Sequence, residues 1–331
     1  MNWRTSLVSL SILVAVCTAA GEPAAKGKPT VLVMVGAGGE NEFADQFKTW
    51  AGQWEKAAQT AGAKSIVIGL NAEKTNDLAE LKQSLLGETN ELSAELWLVL
   101  IGHGTFNGRE AKFNLHGPDL VDAELAALLQ PLHRPVAVIN CAAASAPFLN
   151  KLSASNRVVI TATRSGNEQN FARFGQYIAE AIADPAADLD KDGQTSLLEA
   201  FLTAASRTAE FYKLEGRLAT EHPLLDDNGD GLGTPADWFR GIRAAKKAKE
   251  GASLDGYRAH QFHLLRSEAE RALPPEVRAR RDELELSIAR LRERKGELPE
   301  DDYYAQLEPL LLEMARLYQR ATSVVKPSAA K

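Results

Sequence analysis

The sequence predicts an α/β fold in which helices flank a mostly parallel sheet, with two smaller segments after it. The first observation is that apolar, β-branched runs alternate with amphipathic helical patterns over residues 28–170, as in strand–helix–strand units. The second is composition: 45% of the 331 residues are hydrophobic and 25% are charged, which is typical of globular proteins. A formal charge of −6 does not suit a protein that coats nucleic acid, so no nucleic-acid partner is expected.

Residues 1–20 have the pattern of a secretory signal peptide. Arg4 precedes an apolar stretch from Leu7 to Val16, and small residues follow Cys17. Because this stretch is too short to span a bilayer, we expect no transmembrane segment in the mature chain. The protein is therefore expected to be exported, either periplasmic or secreted. A lipid anchor through Cys17 is the disfavoured alternative, since Val16 stands where a small residue is wanted.

Five strands and four helices are predicted in alternation. The strands are Val31–Val35, Ser65–Leu70, Leu96–Ile101, Val136–Ile139 and Val158–Ala162. The helices are Glu42–Thr60, Asn76–Leu86, Asp122–Leu129 and Ala146–Leu152. Each strand is a continuous apolar run, which indicates burial on both faces of a parallel sheet. Because sites in such sheets lie beyond the carboxyl ends of the strands, the residues that follow the strands are the candidates for chemistry.

A histidine and a cysteine follow two of these strands. His103 follows the third strand and Cys141 the fourth, so both are expected at one edge of the sheet. An imidazole lowers the pKa of a nearby thiol and can later protonate a leaving amine. The backbone N–H of Gly104, with that of Cys141, can bind a developing oxyanion. The alternative for Cys141 is a small buried core residue.

The order strand, His103-Gly104, strand, Cys141 resembles the caspase-like cysteine peptidase superfamily, nearest its legumain-type branch. The resemblance implies His103 as general base and acid, Cys141 as nucleophile and the Gly104 N–H as oxyanion donor. It also implies a peptide or protein substrate. The flanks of the cysteine depart from the family pattern, because Asn140 precedes it and a run of alanines follows it. Substrate choice and activity are therefore open.

Arg164, Ser165 and Glu168 follow the fifth strand and are candidates for a substrate pocket. The alternative for Arg164 and Glu168 is an ordinary surface ion pair. Two function hypotheses follow for the whole chain. The first is an exported, calcium-binding, caspase-like cysteine endopeptidase that uses a Cys/His dyad. The second is a catalytically inactive calcium-binding caspase-like scaffold or interaction protein.

Calcium enters both hypotheses because residues 171–240 contain a twelve-residue pattern of the EF-hand type. Oxygen ligands recur at the spacing that Ca²⁺ requires, and a glycine stands at the sixth position, where the loop turns sharply. The predicted ligands are Asp188, Asp190, Asp192, Gln194 through its main-chain carbonyl, Ser196 and Glu199. A second, weaker candidate has the ligands Asp226, Asn228, Asp230 and Asp237.

Residues 241–326 predict a helical hairpin. Two apolar stripes, one through Leu284 and Ile288 and one through Leu310 and Met314, flank a break at Gly296–Pro299. Basic residues outnumber acidic ones here, unlike in the preceding domain. The hairpin is expected either to pack on that acidic domain or to pair with a second copy, which makes the protein a candidate homo-oligomer through its C-terminal helices.

Overall fold

The structure is a computed structural model that describes residues 27–71, 73–89, 94–250 and 252–325. The predicted signal peptide and Cys17 lie outside the described residues. Within the described ranges, no helix is long and apolar enough to cross a membrane.

Strands in the described part of the chain form one large sheet and two small ones. In chain order they are β1 Thr30–Val35, β2 Lys64–Ile68, β3 Leu96–Ile101, β4 Gly104–Phe106, β5 Ala111–Phe113, β6 Leu120–Val121, β7 Val136–Asn140, β8 Arg157–Thr161, β9 Leu224–Asp226, β10 Thr234–Pro235, β11 Phe239–Arg240 and β12 Arg243–Ala244. The large sheet has seven strands in the order β10-β9-β8-β7-β3-β1-β2. Strands β4, β5 and β6 form a small antiparallel sheet, and β11 pairs with β12.

The five predicted strands correspond to β1, β2, β3, β7 and β8, and they pair in parallel. The predicted α/β class with a mostly parallel sheet is therefore confirmed. The sheet also contains β9 and β10, which pair antiparallel at its edge and carry no long apolar run that would have predicted them. This edge brings residues 224–235 beside β8, and so attaches the second acidic loop to the sheet.

The helices cover both faces of the large sheet. In chain order they are α1 Asn41–Ala61, α2 Asp77–Gly87, α3 Asp122–Leu129, α4 Ala146–Leu152, α5 Phe174–Ala181, α6 Leu197–Leu214, α7 Tyr257–Gln261, α8 Glu268–Ala272, α9 Pro275–Glu293 and α10 Glu300–Val325. Alternate residues of β1 show the two layers. Val31 and Val33 pack with residues of α1, α5 and α6, whereas Leu32 and Met34 pack with residues of α2, α3 and α4. Because both faces are covered, the strand is apolar at every position from Val31 to Val35.

Helices α9 and α10 follow the sheet and pack against each other. Leu284 and Ile288 of the first predicted stripe are buried, and Arg280 Nε donates to Glu313 Oε1 of α10 at 2.7 Å. On α10 the side chains of Leu311 and Leu312 stay exposed. Pairing with a second copy through this helix remains a prediction.

Candidate functional site

His103 and Cys141 lie at the same edge of the sheet. Residue Leu100 of β3 is in register with Asn140 of β7, and the Cys141 N–H donates to the Leu100 carbonyl at 2.9 Å. His103 follows β3 by two residues. The parallel pairing thus brings the two chain segments together, as the strand pattern predicts for neighbouring carboxyl ends.

The His103 ring stands among aromatic side chains. Its centroid lies 5.0 Å from that of Phe43, 5.1 Å from that of Phe47 and 6.0 Å from that of Phe171. Nε2 is 3.1 Å from the carbonyl oxygen of Gly38. Because a carbonyl can only accept, Nε2 carries the hydrogen of this bond, and Nδ1 is the basic nitrogen of the neutral ring.

The Cys141 thiol is buried in the core, with 1% of the residue exposed. A Cβ added at Gly175 of α5 would lie 2.9 Å from the Cβ of Cys141 and 3.0 Å from the Trp50 ring, which shows how closely α1 and α5 cover it. Burial, and secondarily the charge of Glu221, raises the pKa of this thiol far above its ordinary value. Among the described residues, no hydrogen bond joins Cys141 to His103. This environment disfavours a thiolate.

Gly104 begins β4 and lies opposite Phe113 in the small sheet. A Cβ at this position would approach the carbonyl oxygen of Ala143 to 2.2 Å, so only glycine allows this packing. The segment that follows Cys141 therefore packs directly on the segment that follows His103. The role of the Gly104 N–H as an oxyanion donor stays a prediction.

The three pocket candidates lie in the loop after β8. Glu168 Oε1 is 3.3 Å from Arg164 Nε and 2.6 Å from His222 Nδ1, so the ion pair that was the alternative reading is present. The Ser165 hydroxyl accepts from the Asn167 N–H at 3.1 Å. The Glu168 carbonyl accepts from the Ala144 N–H at 2.7 Å, which fastens this loop to the segment after Cys141. A role in substrate binding stays a prediction.

The first acidic loop lies between α5 and α6 and collects carboxylates. Oxygens of Asp188, Asp190 and Asp192 lie within 4.8 Å of one another. Asp188 accepts from the N–H groups of Lys191 at 2.7 Å and Gly193 at 3.1 Å. The backbone of Gly193 has φ +90°, a conformation that glycine adopts readily.

Glu199 closes this loop from the first turn of α6 and is fully buried. Its Oε1 accepts from the N–H groups of Leu189 at 2.8 Å and Asp190 at 3.2 Å. Its Oε2 accepts from the N–H of Ser196 at 2.8 Å and from its hydroxyl at 2.7 Å. The Ser196 hydroxyl caps α6 through the Glu199 N–H at 3.2 Å. The Gln194 N–H donates to the Asp192 carboxylate at 3.0 Å. The main-chain carbonyl of Gln194 remains its predicted ligand atom.

The second acidic loop has the same internal hydrogen bonds at the same offsets. Asp226 accepts from the N–H groups of Gly229 at 3.0 Å and Gly231 at 3.1 Å. Asn228 accepts from the Asp230 N–H at 2.8 Å, just as Asp190 accepts from the N–H two residues on in the first loop. The Asp230 carboxylate accepts from the Leu232 N–H at 2.8 Å.

The structure does not bring Asp237 into this loop. Asp237 is exposed in a short 3₁₀ turn after β10. A buried aspartate from a later segment, Asp255, contacts the loop in its place. Burial, and secondarily the neighbouring charge of Asp227, raises the pKa of Asp255 to about 8. Sequence reasoning missed Asp255, because no spacing rule connects it with residues 226–237.

His260 is a second residue that sequence reasoning left unassigned. Its Nε2 lies 3.1 Å from Asp190 Oδ2, and the two groups, together with a Glu199 oxygen, lie within 4.8 Å of one another. The short helix α7 thus carries a ring nitrogen to the first loop. The sequence around His260 gives no signal of such a contact, because its partners Asp190 and Glu199 come from a distant segment of the chain.

Comparison with known proteins shows similarity of fold only. No protein-family model matches the chain, and no curated protein matches it. Caspase-1 from Spodoptera frugiperda is 11% identical with a TM-score of 0.40, and the match covers 61% of this chain and 87% of that one. The Drosophila initiator caspase Dronc is 13% identical with a TM-score of 0.40, and the match covers 61% of this chain and 80% of that one. A protein of Geobacter sulfurreducens is 12% identical with a TM-score of 0.38, and the match covers 61% of this chain and 93% of that one. Likeness at this level carries no argument about activity, and assignment to the legumain-type branch stays a prediction.

Proposed function

We propose that this protein binds calcium through its acidic loops and that its α/β sheet is the scaffold that holds them. The observation that carries this proposal is the convergence of the Asp188, Asp190 and Asp192 carboxylates within 4.8 Å. Glu199 closes the same loop at the twelfth position, the place of the bidentate ligand in EF-hand loops. The predicted ligands of this loop are all oxygen donors, which suits a hard cation; His260 Nε2 lies 3.1 Å from Asp190 Oδ2, at hydrogen-bond distance.

One sequence feature completes the proposal. The signal-peptide pattern of residues 1–20 supports export to a compartment where calcium is plentiful, and loops of modest affinity bind calcium there. Calcium bound only to the folded chain stabilises it, by about 2.7 kcal/mol at a hundredfold excess over the dissociation constant.

Calorimetric titration of the full chain with Ca²⁺, paired with thermal unfolding, tests the proposal. We expect saturable binding and a melting temperature that rises with calcium concentration. A titration without heat, together with an unchanged melting temperature at millimolar calcium, would contradict it. Mg²⁺ at the same concentration is the control for a merely ionic effect, because Mg²⁺ prefers a smaller, octahedral site and keeps its waters.

A second function, cysteine peptidase activity, is supported by a separate observation. His103 and Cys141 follow paired strands, and Nε2 of His103 is oriented by the Gly38 carbonyl at 3.1 Å, an arrangement in which a third group fixes a catalytic base. Catalysis further requires that the cover over Cys141, formed by α5 and Trp50, opens. Because the Cys141 thiol is buried, we rank peptidase activity second to calcium binding.

A peptide-library digest separates the two functions. Peptidase activity predicts cleavage by the wild type and none by Cys141→Ala, with His103→Ala equally inactive. Equal cleavage by wild type and Cys141→Ala, or no cleavage by either at saturating calcium, contradicts the peptidase hypothesis and leaves the calcium scaffold.

A further inference from the structure

The twelfth residue of the second acidic loop, Asp237, does not fold back over the loop. In the first loop the chain turns into α6 at Leu197, so residue 199 folds back over the loop. In the second loop the chain instead enters β10 at Thr234 and Pro235 and pairs with β9. An extended strand advances by about 3.3 Å per residue, and it leads Asp237 away to an exposed turn.

Asp255 makes the contacts in the second loop that Glu199 makes in the first. Its Oδ1 accepts from the N–H groups of Asp227 at 3.0 Å and Asn228 at 3.2 Å. These are the second and third positions of the loop, the same positions that Glu199 Oε1 binds. Its Oδ2 accepts from the hydroxyl of Thr234 at 2.6 Å. Thr234 holds the ninth position, the place of Ser196 in the first loop.

The electrostatics of this region point to a cation independently of those hydrogen bonds. Asp226, Asp227 and Asp255 are 1%, 4% and 3% exposed. Within the part of the chain that the structure describes, none of the three carboxylates forms an ion pair with a basic side chain. Buried carboxylates are ordinarily paired with cationic groups or coordinate metals, because burial of an unpaired charge is costly.

We propose that Asp255 completes a second calcium site together with Asp226, Asn228 and Asp230. The site rests on the proposed calcium function and deepens it. Calcium is the cation of choice because the ligand set is all oxygen, and because the loop repeats the offsets of the first one. The site joins two segments of the chain, so the cation would be held by a loop and by a residue that lies beyond the β11–β12 hairpin.

A second link fastens these segments to each other. The Asp227 carboxylate accepts from the N–H groups of Gly256 at 2.9 Å and Ala259 at 2.7 Å. The carboxylate of Asp255 and that of Asp227 thus each bind the backbone of the other segment. These reciprocal hydrogen bonds hold Asp255 in position. Asp237 has no such support among the described contacts.

Calorimetric counting of calcium equivalents on the full chain tests the site. Wild type is expected to bind two equivalents, Asp255→Asn one, and the matched control Asp237→Asn two. Glu199→Gln is expected to weaken only the first site, by at least about tenfold. Two equivalents of unchanged affinity in Asp255→Asn, or loss of one in Asp237→Asn, overturns the proposal.

Asp230→Asn keeps the test decisive if Asp255→Asn does not fold. Asp230 is exposed, so this variant is expected to keep the calcium-free melting temperature and to weaken the second equivalent by at least about tenfold. Unchanged affinity overturns the proposal. Wild type that binds one equivalent, abolished by Glu199→Gln, leaves the proposed function standing and overturns the second site. Wild type that binds no calcium contradicts both.

Discussion

Replacing Glu199 by glutamine tests the first loop at its closing carboxylate. Glu199 is fully buried and accepts four hydrogen bonds, from the N–H groups of Leu189, Asp190 and Ser196 and from the Ser196 hydroxyl. Glutamine has nearly the same shape but no charge. It keeps one acceptor oxygen and places an NH₂ group where the second carboxylate oxygen stood.

The magnitude follows from the count of bonds. The NH₂ group is best placed beside Ser196, whose hydroxyl can turn to accept from it, so the hydrogen bond from the Ser196 N–H is the one that is lost. A hydrogen bond to a charged group contributes about 1.5–3 kcal/mol. One such bond is lost and the other three no longer involve a charged acceptor, so the calcium-free variant is expected to be about 2 kcal/mol less stable. Calcium also loses a bidentate ligand, and its affinity is expected to fall at least about tenfold, or 1.4 kcal/mol.

Urea unfolding without calcium measures the first effect, and calorimetric titration measures the second. Glu210→Gln is the matched control, because Glu210 is exposed on the same helix, α6. Its stability and calcium binding are expected to equal those of the wild type. Unchanged calcium affinity in Glu199→Gln would refute the ligand assignment. Unchanged stability without calcium would refute the hydrogen-bond reasoning, whatever the affinity.

Two further predictions concern buried titratable groups. The Cys141 thiol is expected to react with iodoacetamide at least about a hundredfold more slowly in the native chain than in urea, because burial both blocks access and disfavours the thiolate. Comparable native and denatured rates would show an accessible thiol and favour the peptidase function. Burial lowers the pKa of His263 from 6.5 to about 4; the folded chain therefore resists protonation, and stability is lost as the pH falls from 6.5 towards 4. Linkage limits this contribution to about 3 kcal/mol. His263→Leu should lose less stability than the wild type over that window in urea unfolding, and parallel curves would contradict this assignment.

The parallel core was predictable because its strands are buried on both faces, which the continuous apolar runs of β1 and β3 record directly. Strands β9 and β10 were not, since each is two or three residues long and each depends on a neighbour, β9 on β8 and β10 on β9. The local sequence pattern identifies a strand that has a long apolar run of its own. It does not identify a short strand that forms only because a neighbouring strand pairs with it.

The candidate sites divide in the same way. His103 and Cys141 were expected at one edge because each follows a strand of a parallel sheet, and the carboxyl ends of parallel strands lie at the same edge. The burial of Cys141 depends on Gly175 and Trp50, which belong to two helices whose packing the strand pattern does not specify. Likewise, the first loop was readable because its ligands share one segment. Asp255 was missed because tertiary structure delivers it from another.

The exposed stretch between the second loop and Asp255 gives that arrangement a mechanical consequence. Lys246, Lys247 and Lys249 are exposed there, and each is a site that a trypsin-like protease recognises. A calcium ion at the proposed second site would act as a reversible cross-link between the two sides of this stretch. A chain nicked in this stretch would remain one particle, held by the ion and by the hydrogen bonds of Asp227 to Gly256 and Ala259; a chelator would remove the first of these links and leave the second.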